Sequence, residues 1–496
     1  MLMLFTSVVA SMPVSHLAVS ARKVARSVGR GLAVAALGLA AAVAGAQSLP
    51  SELQGAWRAT KLPEQSLSLF VQEVGGPVLL AVNPATPRNP ASVMKLVTTW
   101  AGLSGLGPEY VWRTHLLARG GGVVDEQGTL SGPLYIQAAG DPSFTVQDLW
   151  LLLRELRLRG IKNLGEVVVD RSRFGNVAID PGAFDNSPDR PYNASPDAMM
   201  VGLGATRLLF QPDARAKQWI PIVDPPVPGL RITGQVAWSD ARCTGSPTVG
   251  TQVQGTASGV EVLLSGNAPG ECGEFSVYRL ALSQPEHFSN LFRMLWRELG
   301  GTLARGIVAG KVPPEAKPVA WHDSRPLADQ IRIVNKQSNN VMARHLLLTL
   351  AAETSGPGAT VPAGERAVLQ LLQGQGVDTS GWVIGNGSGL SREGRLTASG
   401  LGGMLDAAWH SSLMPEFISS LAISGVDGTV RRRLRDDDVR GMAHLKTGTL
   451  RDARALAGYV LGASGKRYIL VSMVNGDQAA AVRSFDDAVI RWLAAR

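Results

Sequence analysis

The hydrophobic pattern changes period twice along the chain. Residues 67–82 hold two apolar runs, SLFVQEV and PVLLAVN, which meet at Gly75-Gly76 and read as a β-hairpin. PASVMKLVTT (Pro90–Thr99) follows as a helical stretch. From about Trp112 to Ser283 short alternating runs dominate, among them GTLSGPLYIQAAG, GEVVVD, GLRITGQVAW and GVEVLLSG. Gly, Pro, Asp and Asn divide them, and a single strong amphipathic helix, TVQDLWLLLRELRLRG, interrupts them. The helical period returns in PEHFSNLFRMLWRELGG, PLADQIRIVNKQSNNVMARHLLLTLAAE and GERAVLQLLQGQG. LKTGTL, RALAGYVLG and RYILVSMVNG then read as strands, with turns at Arg451-Asp452 and Ala463-Ser464-Gly465 predicting antiparallel hairpins before a last amphipathic helix. The economical arrangement is one α/β domain made from both ends of the chain (47–111 and 284–496), with a β-rich region (112–283) inserted into it.

Composition modifies this picture at the N-terminus. Arg22, Lys23, Arg26 and Arg30 precede the apolar segment Gly31–Val43, and Ala44-Gly45-Ala46 has the small-x-small form of a cleavage site. Residues 1–46 therefore read as a secretory signal peptide. The apolar run is too short to span a bilayer stably, so no transmembrane segment is expected in the mature chain. That segment carries four basic and no acidic residues, so the formal charge of +8 falls to +4 on its removal. Such a mild excess, without a basic stripe and interleaved aromatics, gives no case for nucleic acid. Export also gives the two cysteines a meaning: Cys243 and Cys272 are expected to form one disulfide. The seven scattered histidines show no metal-ligand spacing, and no G-x-S-x-G elbow supports a Ser-His-Asp system.

The candidate chemistry starts from a lysine in an apolar helix. Ser92 and Lys95 are three residues apart, hence on one helical face, near the helix start favoured by Pro90. The positive end of the helix favours an oxyanion there, and a desolvated lysine has a lowered pKa and can accept the serine proton. Alone this S-x-x-K pattern is weak, since Ser20-Ala21-Arg22-Lys23 matches it inside the leader. Two further patterns strengthen it. Ser338-Asn339-Asn340 fits S-x-N between helical stretches, although Ser265-Gly266-Asn267 fits too. Lys446-Thr447-Gly448-Thr449 places the chain's one K-T-G on a strand, where Gly448 would let a substrate approach closely and Lys446 and the threonines would offer donors to a carboxylate.

These three patterns, in this order, resemble the penicillin-recognising serine peptidases. The separation of 246 positions from Ser92 to Ser338 resembles in particular the D-alanyl-D-alanine carboxypeptidase/endopeptidases, the class C low-molecular-mass penicillin-binding proteins. GDPSF (Gly140–Phe144), NGSGLSR (Asn386–Arg392) and SGVDGTVRRR (Ser424–Arg433) extend the likeness over nearly the whole mature chain. The resemblance implies an α/β (α+β) peptidase domain, an antiparallel sheet with helices, interrupted by a large β-rich insertion. It implies Ser92 as nucleophile, Lys95 as proton acceptor and Ser338, linked to Lys446, as proton donor to the leaving D-alanine. The backbone N–H groups of Ser92 and Thr449 would hold the oxyanion. Asn340 would hold the acyl-side peptide, and Lys446, Thr447 and Thr449 the terminal carboxylate. Peptidoglycan peptides ending in D-Ala-D-Ala would be substrates and β-lactams acylating inhibitors, with no metal or cofactor, in the periplasm. A β-lactamase or esterase of the same fold is the alternative. Two residues depart from the family pattern: Asn339 stands where an acidic residue is usual, and so does Asn386, before GSGLSR. The second keeps open a catalytically weak cell-wall-binding protein.

Overall fold

The computed structural model describes residues 48–256 and 259–496. The expected signal peptide and its cleavage site lie outside them. Among the described residues no helix is long and apolar enough to cross a membrane.

Strands from the two ends of the chain form one antiparallel six-stranded sheet. Its order is Ala422–Ile423, Ala443–Thr449, Ala453–Leu461, Arg467–Asn475, Leu67–Glu73 and Val78–Val82. Both expected C-terminal hairpins form, and the first strand docks on Arg467–Asn475 with Leu69 opposite Ser472. These strands are almost continuously apolar because both faces are covered. Ala455, Ala457, Tyr459, Val471 and Met473 pack towards the helices Met94–Leu106, Asn340–Ser355 and Ala398–Trp409. The alternate residues Leu456, Val460 and Leu470 pack towards Ser51–Thr60 and Arg483–Ala494 through Trp57, Phe485 and Val489.

The intervening chain builds a second, five-stranded mixed sheet in the order Ile307–Ala309, Val167–Asp170, Leu134–Gln137, Arg113–Ala118 and Lys317–Asp323. The amphipathic helix Val146–Leu158 starts with a Thr145/Asp148 capping box and turns Leu149, Leu152, Leu153 and Leu156 into this sheet's core. Sheet pairing crosses the expected return at 284. Helix Gln284–Glu298 packs Phe288, Leu291 and Phe292 into the same core, and Lys317–Asp323 pairs with Arg113–Ala118. Apart from Ala139, the chain rejoins the core of the first sheet from helix Leu327–Lys336, whose Leu327 and Ile331 lie in it. A smaller β unit lies within residues 206–279. Its three-stranded and four-stranded sheets share a core of Phe210, Trp219, Val249, Val262 and Leu264. The disulfide Cys243–Cys272 is formed there, with an S–S distance of 2.08 Å.

Candidate active site

The chain enters the site as a 3-10 turn, Ala91–Val93, and becomes α-helical at Met94. Ser92 thus sits in the tight turn ahead of the α-helix rather than within its first turn. Ala91 has φ of 46°, a left-handed conformation that a non-glycine residue adopts only where its surroundings impose it. Asn89 supplies that constraint. Its Oδ1 accepts from Ala91 N at 2.9 Å and its amide donates to Ser391 O at 2.9 Å. Asn475, at the end of a sheet strand, bonds the backbone N–H and carbonyl of Asn89 at 2.8 and 3.0 Å.

Lys95 is fully buried one turn further on. Its Nζ lies 3.0 Å from Ser92 Oγ, 2.6 Å from Asn340 Oδ1 and 2.6 Å from the carbonyl of Ser388. Burial, and then the nearby charges of Lys446 and Arg344, hold its pKa well below the usual lysine range. A neutral amine has two N–H donors and one lone pair. The two oxygens that can only accept, on Asn340 and Ser388, use the donors and leave the lone pair for the Ser92 hydroxyl. The same three contacts would equally suit an ammonium, with its three N–H donors.

Lys446 is the second buried lysine, with Nζ donating to Ser338 Oγ and to Thr447 O, both at 2.8 Å. Burial lowers its pKa to about 7. Ser338 lies in the three-residue joint between helices Leu327–Lys336 and Asn340–Ser355 with φ of 59°, a further strained backbone position. Asn339 explains the sharpness of the joint. Its side chain accepts from Met342 N at 3.0 Å and caps the second helix. Asparagine and aspartate cap about equally well, so the departure from an acidic residue costs nothing here. We expect Asn339→Asp to leave the melting temperature and kcat/KM close to wild type. Asn339→Ala should lose about 1 kcal/mol, read by thermal unfolding.

Asn386 shapes the loop that carries the Ser388 carbonyl. Its Oδ1 accepts from Ser388 N at 3.0 Å and Ser388 Oγ at 2.8 Å, while its Nδ2 donates to Leu390 O at 2.9 Å. A carboxylate could not make that last bond. Thr98 Oγ1 pins the loop by donating to Gly387 O at 2.6 Å.

Gly448 has a different neighbour from the expected one. A Cβ there would stand 2.4 Å from Pro90 O and 3.1 Å from Ser92 N, so the missing side chain admits the serine turn itself. Leu450 N donates to Ala453 O at the hairpin end. By the alternation of an antiparallel pair, Gly448 and Lys446 also bond across to that neighbouring strand. The backbone groups of Thr449 and Thr447 then point to the opposite edge, whose pairing with Ala422–Ile423 covers His444 and Leu445. Ser92, Ser338, Thr447, Gly448 and Thr449 all line one cavity of about 910 Å3. Lys95 is thus joined directly to both Ser92 and Asn340, and Ser338 to Lys446. The Asn89–Asn475 clasp, the Ser388 carbonyl and the bond from Thr447 Oγ1 to Thr429 Oγ1 (2.8 Å) were not among the expected parts. Ser388 and Thr429 stood inside the stretches NGSGLSR and SGVDGTVRRR, and Asn89 stood next to Pro90, so a local signal lay near each of these three.

Residues 49–496 match the D-Ala-D-Ala carboxypeptidase 3 (S13) family. A D-alanyl-D-alanine carboxypeptidase from an Actinomadura strain is 29% identical over 424 residues, covering 82% of this chain and 76% of that protein. D-alanyl-D-alanine carboxypeptidase DacB of Haemophilus influenzae is 25% identical over 421 residues, covering 84% of this chain and 87% of that one. The crystal structure of penicillin binding protein 4 (dacB) from Haemophilus influenzae has a similar fold, with a TM-score of 0.72 at 24% identity, covering 88% of this chain and 99% of that one.

Proposed function

Because the chain belongs to the D-Ala-D-Ala carboxypeptidase 3 (S13) family, we propose that Ser92 is the nucleophile with which it opens the peptide bond between two D-alanines. The protein is a serine-type D-Ala-D-Ala carboxypeptidase/endopeptidase with the penicillin-recognising peptidase fold, acting on peptidoglycan peptides. The observation that carries the site assignment is the pair of buried lysines, each on its own serine, at one cavity.

Neutral Lys95 takes the Ser92 proton as Oγ attacks the carbonyl of the penultimate residue. The tetrahedral oxyanion sits between the N–H groups of Ser92 and Thr449, an assignment supported by the close approach of Gly448 to Ser92 N and by the strand register. Ser338 passes its proton to the leaving nitrogen as the C–N bond breaks and is resupplied by Lys446. Lys446, Thr447 and Thr449 bind the terminal carboxylate, while Asn340 orients the acyl-side peptide. Water then attacks the ester on Ser92 and releases the shortened peptide. A β-lactam presents the same amide in a ring, so its leaving group stays attached and deacylation slows. We place the insertion at residues 112–323, following the sheet pairing. Export to the periplasm fits the disulfide and the composition of the first 46 residues.

The test is mass spectrometry of the protein after brief exposure to benzylpenicillin, with peptide mapping. One persistent adduct on the peptide containing Ser92 is expected. Fast penicillin consumption without an adduct would favour the β-lactamase reading. Neither adduct nor turnover, together with no D-alanine release, would overturn the assignment.

A further inference from the structure

The cavity beside Ser92 is lined by more positive charge than the reaction uses. Arg431, Arg432, Arg433, Arg454 and Arg483 all line it, and Asp486 is its one carboxylate. Asp486 is already engaged, accepting from Ser472 Oγ at 2.7 Å and pairing with the buried Arg433 at 3.5 Å. Arg433 also binds Asp487. Arg454 donates only to the carbonyls of Leu450 and Ala453. Arg431, Arg432 and Arg483 are exposed, and among the described residues their guanidinium groups have no carboxylate partner. Three unpaired guanidinium groups at one concave surface favour an anion there.

The strand register tells which side of the scissile bond this surface serves. Lys446 and Gly448 face the serine turn, whereas Thr447 and Thr449 stand on the other face with Arg454, the residue opposite Thr449. The arginine surface therefore continues from the threonines assigned to the terminal carboxylate, away from Asn340 and Ser388. Thr429, two residues before Arg431, is bonded to Thr447 and fixes the basic loop to this end. Arg432 also lines a second cavity of about 700 Å3, whose wall includes Gly245, Pro247, Asn267 and Cys272. The disulfide-closed part of the insertion thus extends the same side of the site.

Resting on the assignment of Ser92 as nucleophile, we propose that Arg431, Arg432 and Arg483 form a subsite for acidic leaving groups, selecting peptides that carry a further carboxylate beyond the scissile bond. The chemistry is unchanged: the acyl part stays on Ser92, and the departing amine, protonated through Ser338, leaves with its extra carboxylate held by the arginines. A leaving group extended by a peptide chain has room to continue towards the disulfide loop.

The probes are two synthetic peptides with the same diacetyl-lysyl-D-alanyl acyl part, one ending in D-glutamate and one in its neutral isostere D-glutamine. The wild type is expected to prefer D-glutamate in kcat/KM by about tenfold, mainly through KM, with the ratio shrinking as salt is raised from about 50 to about 500 mM. The double variant Arg431→Gln/Arg432→Gln, at exposed unpaired positions, should bring the ratio below about 3. A wild-type ratio near one, or a ratio that neither salt nor the variant moves, would overturn the subsite. Failure of the nucleophile assignment would look different, with no penicillin adduct on Ser92 and neither peptide cleaved.

Discussion

Replacing Ser92 by alanine is expected to abolish acylation by penicillin and release of D-alanine, and replacing Lys95 by methionine should slow both by about 10²–10⁴-fold. The methionine variant is the more informative. It keeps a side chain of similar length in a fully buried position and removes only the amine that lies 3.0 Å from Ser92 Oγ. Asn340 Oδ1 and Ser388 O each lose a donor, so the fold should weaken by about 1–3 kcal/mol. Comparison therefore needs near-ultraviolet circular dichroism to confirm native packing, alongside stopped-flow rates of acylation. If the serine and the lysine act as one unit, as proposed, the double variant should be no worse than Ser92→Ala alone. Acylation of Lys95→Met within about tenfold of wild type would remove the lysine from the role of base.

The parts of this site that were legible in the sequence are those held by local geometry. Ser92 and Lys95 are one helical turn apart, and that spacing alone brings the amine to the hydroxyl. Lys446 could be placed on a strand by alternation and by the hairpin turn at Arg451-Asp452. What joins these pieces was not legible, because it depends on pairings between distant segments. Asn89 and Asn475 are 386 residues apart, and nothing in either stretch marks the other as its partner. Gly448 illustrates the same limit. It was read as a place for a substrate to approach the backbone, and the sequence offers no way to see that the Pro90–Ser92 backbone stands against it. The strained φ of Ser338 is likewise a product of two helices meeting at fixed positions. The far edge proposed for the insertion, 323 rather than 283, rests on pairings of the same kind. The strong helical pattern of Gln284–Glu298 looked like a return to the helix-rich domain, whereas its apolar face packs on the second sheet, and the strands after it complete that sheet.

The second large effect expected is a fall in kcat/KM as pH rises through about 7, carried by Lys446. In the proposed mechanism its ammonium attracts the terminal carboxylate and resupplies Ser338, and burial brings its pKa down to about 7. Below that value the site holds the charge, and above it the charge is lost, so KM should rise on the alkaline side. A bound carboxylate favours the ammonium, so the limb in kcat should lie at higher pH than the limb in kcat/KM. Lys95 contributes the opposite limb, since it must be neutral to take the serine proton and activity grows as pH rises through its own depressed value. Asp486, which burial raises to about 6, lines the same cavity, and its ionisation would also weaken anion binding. The variant Lys446→Met separates these contributions. It should lower kcat/KM by about 100-fold and remove the limb near 7, leaving any limb near 6 in place. Stability gives an independent reading. The ordinary value for a lysine is 10.5, so between about 7 and 10.5 the unfolded chain binds a proton at residue 446 that the folded protein does not. Stability linked to this group is therefore fully present above about 10.5 and is lost as pH falls to about 7. Lys446→Met should flatten that dependence while activity falls. A variant that keeps both the limb near 7 and the wild-type pH dependence of unfolding would show that Lys446 remains charged throughout, and the alkaline loss of activity would then belong to another group.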